Sequence, residues 1–477
     1  MATFGQRLAF SVGLVLVGRA VGLALNAVTF LWIARGLGPE RFGLYTLAFV
    51  YVSFFATVID NGLNIVVTRA IAREPDDAGR LVGNALVLKT ALCLPLMGLA
   101  VALAHAPWAP AGLRDLVGIA SGLILVTGLS AVNALFQARA QMAWVVSGDL
   151  LARALFLIGA PMVIRGGGSL ETLFAVQVAS MAAGLLVPLG RALVELAPRL
   201  RIDLSVWRGL MGPAAALSAS LALGMLTARF DMLVLPTVAS ARAVGQYAAA
   251  FRLIDLLLLL PALMLQVVFP AFVARAGSVD VLEPRFRRVE RVLALLGLPA
   301  AVFLTMAAVP VLVVTGGPAY AGGAPSLALL AWGMLAVYLS NGMLYVLVAT
   351  GRPGALLVWS AVGAAASVVL GLLLAPRLGP IGAATATVTA HTIVLLGLSS
   401  VLWRQLRMRP WPDGLPDIAL ATGVVAAVTA ILLPRLPVVA VAAANAVVLA
   451  ATLIALPGPR RELTALLRRE PSPTAVS

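Results

Sequence analysis

Charge is scarce in this chain, and lysine and cysteine are nearly missing. Of its 477 residues only 11% are charged while 61% are hydrophobic, against roughly a quarter charged in an ordinary soluble domain. Mean hydropathy is +1.03. That balance excludes a soluble multidomain enzyme, as does the lack of any long polar linker before the last dozen or so residues. The lone cysteine, Cys93, excludes an intramolecular disulfide. No metal-ligand spacing, nucleophile elbow, phosphate loop or zincin pattern is present. His105 and His391 are too far apart in sequence to mark a site, and GGGS at Gly166 to Ser169 follows no strand. No cofactor, metal or covalent chemistry is expected. The net charge of +15 would suit a nucleic-acid binder if its cations clustered on one soluble face; here they sit between apolar segments, so nucleic acid is not expected as a partner.

What the chain does have is long apolar runs. Segments of about twenty such residues fall near 10–34, 43–68, 81–104, 115–138, 142–164, 170–190, 209–235 and 245–273, and then near 292–315, 325–349, 354–375, 380–403, 417–433 and 437–456. The first is too long for a signal-peptide core and is expected to be retained as a span. The last two are short and bounded by Pro434 and Pro437, which leaves twelve spans as the alternative to fourteen. With the N-terminus inside, 22 cations fall on the cytoplasmic side, 7 on the other and 5 within spans, which predicts both termini in the cytoplasm. Residues 275–291 read as a basic, hinge-like connection and the tail beyond Leu456 as disordered.

Shifting the sequence by 202 residues aligns Gly43, Tyr45, Ala48 and Phe49 with Gly245, Tyr247, Ala250 and Phe251, and Leu63, Val66, Ala72 and Arg73 with Leu265, Val268, Ala274 and Arg275. Six spans separate the copies, an even number, so the repeat is parallel about an axis along the membrane normal. The reading is an all-α polytopic membrane protein with two pseudo-symmetric lobes around a central cavity. The N-terminal lobe is 1–208, the C-terminal lobe 209–410, an extra helix pair 411–456 and the cytoplasmic tail 457–477. Two such bundles imply alternating access; a duplicated scaffold without transport is the competing reading.

Ionisable groups inside a bilayer cost from about 2.5 to over 10 kcal/mol, so each needs water or a partner. Asp149 and Arg153, four apart, read as a structural ion pair. Arg19 has no carboxylate within a turn of its own helix, and Arg252 stands three residues from Asp255. Substrate contact and inter-helix pairing with Asp60 or Asp255 are equally open for these two arginines. Lys89 either lines the cavity or snorkels toward the cytoplasmic end of its helix. Arg229 and Asp231 lie toward the far end of the seventh span, and for Asp231 snorkelling to the interface competes equally with function. A cationic lining of Arg19, Arg229, Arg252 and Lys89 suits phosphate.

Five stretches then stand out: ARGLGPERFGLY at Ala34 to Tyr45, DNGL at Asp60 to Leu63 with Arg69 and Arg73 beyond it, GGPAY at Gly316 to Tyr320, ATGRP at Ala349 to Pro353, and GPIGAATAT at Gly379 to Thr387. In this order they resemble the bacterial oligosaccharide flippases, the Wzx-type polysaccharide transporters of the multidrug, oligosaccharidyl-lipid and polysaccharide exporter superfamily. The resemblance covers nearly the whole chain. It implies a V-shaped two-lobed bundle in the bacterial inner membrane that moves an undecaprenyl-diphosphate-linked oligosaccharide from the cytoplasmic to the periplasmic leaflet. Glycosyltransferases, a polysaccharide polymerase and membrane lipids are the partners it implies. In relatives the first, second, seventh and eighth helices line the cavity, and Arg19, Asp60, Arg229 and Arg252 lie on those helices here. Asp60 and Asp255 are the carboxylates to consider for ion coupling. The final helix pair departs from the twelve-span pattern of many sugar flippases, which keeps a lipid II flippase open beside a cation-coupled drug exporter. A membrane-embedded sugar polymerase or ligase is the reading from another class; it would be expected to carry a large periplasmic loop.

Overall fold

A computed structural model describes residues 4–107, 109–110, 112–139, 141–196, 202–273 and 278–455. The expected tail at 457–477, and Ala274 and Arg275 of the repeat, lie outside them. The described residues form helices joined by short turns, with no strand among them. This follows from the solvent: in hydrocarbon each backbone N–H and C=O must bond within its own segment.

The chain divides into two compact units, Met1–Ala248 and Ala249–Ser477. The first holds α1 (Phe4–Arg73), α2 (Ala78–Ala104), α3 (Leu113–Ala120), α4 (Gly122–Leu129), α5 (Asn133–Ala138), α6 (Ala143–Arg165), α7 (Leu170–Leu196) and α8 (Leu204–Val238). Helix α9 (Ala241–Val273) crosses the division. The second unit holds α10 (Val279–Met306), α11 (Ala308–Gly316), α12 (Ala324–Ala349), α13 (Pro353–Leu378), α14 (Pro380–Gln405), α15 (Leu415–Leu432) and α16 (Val438–Ala455). Helix α8 opens the second copy of the sequence repeat, yet it packs along α1 within the first unit.

Among the described residues, twelve stretches are long and apolar enough to cross a membrane. The first of them, Val17–Arg73, takes in most of the first expected span and all of the second, and the shorter apolar helix Val438–Thr452 falls where the fourteenth is expected. Length alone therefore counts twelve; dividing α1 at its bend adds one, and the shorter helix adds the other. That bend is at Gly38, with φ 69° and ψ 171°, a region that is essentially open to glycine alone. The following Pro39 drives it, because proline lacks an N–H and disfavours helical geometry in the residue before it.

Two other expected spans are broken for local reasons. The span expected at 115–138 is three short helices over Leu113–Ala138, with the Ser121 and Ser130 hydroxyls at the joints donating to the carbonyls of Gly118 (2.8 Å) and Thr127 (2.7 Å). The run 292–315 breaks at Ala307, between α10 and α11, three residues before Pro310, which cannot donate to the preceding turn.

The basic connection expected at 275–291 is corrected by α10, which is helical from Val279 onward. Leu282, Phe286, Val289 and Leu293 are buried at spacings of four, three and four, an apolar stripe of helical period interleaved with charges. Two of its arginines form ion pairs, Arg287 with Asp413 just before α15 and Arg291 with Asp417 in the first turn of α15. Helix α15 and the turn before it are thus tied to α10 by two ion pairs in matched register.

Each unit has its own core. In the first, Leu63, Val67, Val82, Leu88, Leu135 and Phe136 pack together; in the second, Leu265, Phe272, Phe286, Leu293, Met343 and Leu402 do. Outward-facing side chains such as Ile158, Met162, Leu186 and Val447 are apolar and exposed, as lipid-facing surfaces are. Backbones come very close at Gly148 on α6 and Gly184 on α7, where a Cβ on either would collide with the other's carbonyl oxygen, the small-residue contact typical of membrane helices.

Helix α8 starts on a charged cap. Asp203 accepts from the backbone N–H groups of Ser205 (3.0 Å) and Val206 (3.4 Å) and from the Arg80 guanidinium, while Asn84 accepts from its N–H at 2.8 Å. The Ser205 hydroxyl and then Arg80 hold the Asp203 carboxyl well below the usual carboxylate range.

Replacing Gly38 with Ala forces a side chain into this backbone region, and a loss of about 1–3 kcal/mol is expected, read as a lower Tm of the purified protein. Because the Asp203 acidity is raised in the fold, its contribution is present above the ordinary aspartate value near 3.9 and is lost as the pH falls toward the folded value. Wild type is therefore expected to outlast Asp203→Asn on heating at neutral pH, with the gap closing below about pH 4.

Candidate functional site

The repeat-related positions meet in the structure. A Cβ on Gly43 of α1 would lie 2.8 Å from the backbone N of Gly245 on α9, and one on Gly245 would collide with the Pro39 carbonyl oxygen. Glycine at both positions lets α1 and α9 cross backbone to backbone. Two residues on, the paired tyrosines perform the same task. Tyr45 donates its hydroxyl to Gln177 of α7 at 3.0 Å, and Tyr247 donates to Asp231 of α8.

Asp231 is the first correction. Its position near a helix end suggests snorkelling, but it is 2% exposed and also accepts from the backbone N–H of Met232 at 2.7 Å. The Tyr247 hydroxyl satisfies a carboxylate that would otherwise be costly to bury.

The intramembrane cations fall into different surroundings. Arg19 is exposed on α1. One turn on, Gly22 leaves room for Arg153 of α6, whose Nε would lie 3.3 Å from a Cβ at that glycine. Arg153 Nε donates to Asp149 Oδ2 at 2.8 Å, with both side chains partly exposed. Lys89 of α2 is 0% exposed and donates to Asn64 Oδ1 of α1 at 3.1 Å; it is enclosed in the first unit and does not snorkel. The side chain of Asp60, one turn before Asn64, lies outside the described residues. Arg229 on α8 is half-buried.

In the second unit, Arg252 and Asp255 are half-buried on one face of α9. The group that the sequence reading passes over is Glu290 of α10, 0% exposed. In sequence it is only the last acid before an apolar run, flanked by arginines, and it disappears into the expected basic connection. The matched spacing of Arg287 and Arg291 with Asp413 and Asp417 is the signal that marks a helix there.

A model of the family described as "Polysaccharide biosynthesis protein" matches residues 9–274. No curated protein matches. Among solved structures the chain is similar to the lipid II flippase MurJ in an inward closed conformation, with TM-score 0.77 and 12% identity over 96% of this chain and 100% of that one. It is also similar to a multidrug resistance MATE family transporter of the MOP superfamily in an inward-facing conformation, with TM-score 0.64 and 16% identity over 81% and 94% of the two chains. A third likeness is to a MOP superfamily transporter from Pyrococcus furiosus, with TM-score 0.60 and 17% identity over 84% and 94%. At these identities the likeness establishes the fold alone, a multi-pass helical membrane bundle. With the matched residues covering more than half of the chain, it belongs to the polysaccharide biosynthesis protein family.

Proposed function

We propose that the protein is a flippase that moves a polyprenyl-diphosphate-linked oligosaccharide from the cytoplasmic to the periplasmic leaflet of the bacterial inner membrane by alternating access. The observation that carries this reading is the family match over residues 9–274, in a chain whose spans hold Arg19, Arg229, Arg252 and Lys89. The lobes are 1–208 and 209–410, with 411–456 as an added pair, and both termini face the cytoplasm. The arginines receive the diphosphate, for which a planar guanidinium offers two parallel donors. Lys89, closed in by Asn64 here, joins them only in another conformation. Asp60 and Asp255 are kept as ion-coupling candidates. Asp149 and Arg153 hold α6 in place. Moving negative charge outward across an inside-negative membrane is favourable by about 2.3 kcal/mol per charge per 100 mV, so the cycle needs no nucleotide.

A lipid II substrate is the second reading, favoured by fold likeness over 96% of this chain to the lipid II flippase. Pocket charge distinguishes both from a drug exporter. The Pyrococcus furiosus transporter is itself described by a reverse polarity of its binding pocket that suggests a different function. A carrier of cationic drugs would be expected to place carboxylates where these arginines stand.

The test is transfer of a fluorescent polyprenyl-diphosphate oligosaccharide across proteoliposomes by wild type, Arg19→Ala and Arg252→Ala, each first checked for an unchanged Tm. A fall of about ten- to a hundredfold is expected for each arginine, the rate equivalent of a charge-assisted hydrogen bond of roughly 1.5–3 kcal/mol. Wild type that moves no lipid-linked sugar but expels a cationic dye overturns the flippase reading.

A further inference from the structure

Glu290 stands on the fourth turn of α10, about 17 Å along the helix from Val279. It is 0% exposed, and among the described residues no hydrogen-bond partner reaches either carboxyl oxygen. The carboxyl rests on bare backbone: a Cβ at Gly342 of α12 would collide with Oε1 and lie 3.3 Å from Leu293 Cδ1. Only a glycine at 342 leaves it that space.

Among the described residues no charged or titratable group on α10 or on the helices around it bonds Glu290, Asp280, Arg285 and Arg288 of its own helix included. Arg287 and Arg291 on its own helix serve Asp413 and Asp417 at the start of α15. Glu283 accepts from the backbone N–H of Arg409 at 3.2 Å. On α12, Tyr338 donates to the Leu257 carbonyl at 2.6 Å, and Tyr345 sits edge-on to Phe269. Arg252 and Asp255 are on α9, and His391 and Arg404 are on α14. None of them bonds Glu290.

An ionised carboxylate without water, donor or counter-ion is far costlier to bury than the neutral acid. We propose that Glu290 is a proton-binding site of the C-terminal unit, neutral while packed on Gly342 and deprotonated when α10 and α12 part enough to admit water. On release the carboxyl O–H bond breaks and the proton passes to that water, leaving the carboxylate with both oxygens as acceptors. Arg287, three residues earlier on the same side of the helix, is the counter-charge to which the carboxylate then turns. Proton occupancy and helix separation become linked, because closing the contact again requires the proton back. As a proton site Glu290 stands independently of the proposed substrate; as the coupling site of the transport cycle it rests on that reading.

Two readouts separate these levels. Infrared spectra of the purified protein at neutral pH, in H2O and D2O, are expected to show a carbonyl stretch of a protonated, buried carboxylic acid that Glu290→Gln lacks. Labelling the wild type with carboxyl-¹³C glutamate, which needs no variant, is expected to move the same band. A spectrum unchanged by both the substitution and the label overturns the proton site, whether or not any sugar lipid is transported. In proteoliposomes carrying the fluorescent polyprenyl-diphosphate oligosaccharide, an imposed pH gradient is expected to change the wild-type initial rate severalfold and to leave Glu290→Gln unaffected. A variant that responds to the gradient as wild type does overturns the coupling role and leaves Glu290 as a buried structural acid.

Discussion

Everything in this molecule follows from the need to satisfy polar groups where water is missing. The backbone meets it by being helical through nearly all of the described residues, and the exceptions are confined to places where a residue's own chemistry compensates. Gly38 takes a conformation closed to other residues, and Ser121 and Ser130 fold their hydroxyls onto carbonyls of the preceding turn. Side chains meet it in pairs. Tyr45 with Gln177, Tyr247 with Asp231, and Lys89 with Asn64 each match a donor to an acceptor from another helix. These contacts add direction to an apolar bundle whose Leu and Val surfaces would pack almost equally well in several registers.

The ionisable groups show how strongly surroundings, more than residue type, set a role. Asp149, partly exposed, is paired with an arginine on its own helix, whereas Asp231, nearly sealed, relies on a tyrosine from the next helix. Glu290 has neither. Its neighbours Arg287 and Arg291 are drawn away by Asp413 and Asp417, so α15 and the turn before it help define the electrostatics of α10.

The sequence reads well where composition alone decides the outcome. Long apolar runs mark the helices, and most boundaries fall within a few residues of those observed, as at 142–164 for Ala143–Arg165 and 380–403 for Pro380–Gln405. It reads poorly where one face of a helix is charged. The first turns of α10 look like a polar linker because charges stand between their apolar positions, and only the four–three–four spacing of Leu282, Phe286, Val289 and Leu293 betrays the buried stripe. Buried partners are the least legible of all. Nothing local to Asp231 announces Tyr247 sixteen residues on, and nothing near Lys89 announces Asn64, because these pairings are made by the crossing of helices and not by spacing within one. The repeat offers the single exception, since aligning Tyr45 with Tyr247 picks out two side chains with the same task.

The meeting of Gly43 with Gly245 bears on how such a chain can evolve. After a duplication, the two copies ordinarily drift apart, each accommodating its own changes. Here two positions that the 202-residue shift aligns meet each other, so a larger residue at either collides with the backbone of the opposite helix, and neither is freed by a change at its counterpart. The crossing of α1 and α9 binds the choice of residue at 43 and at 245 to one and the same backbone contact.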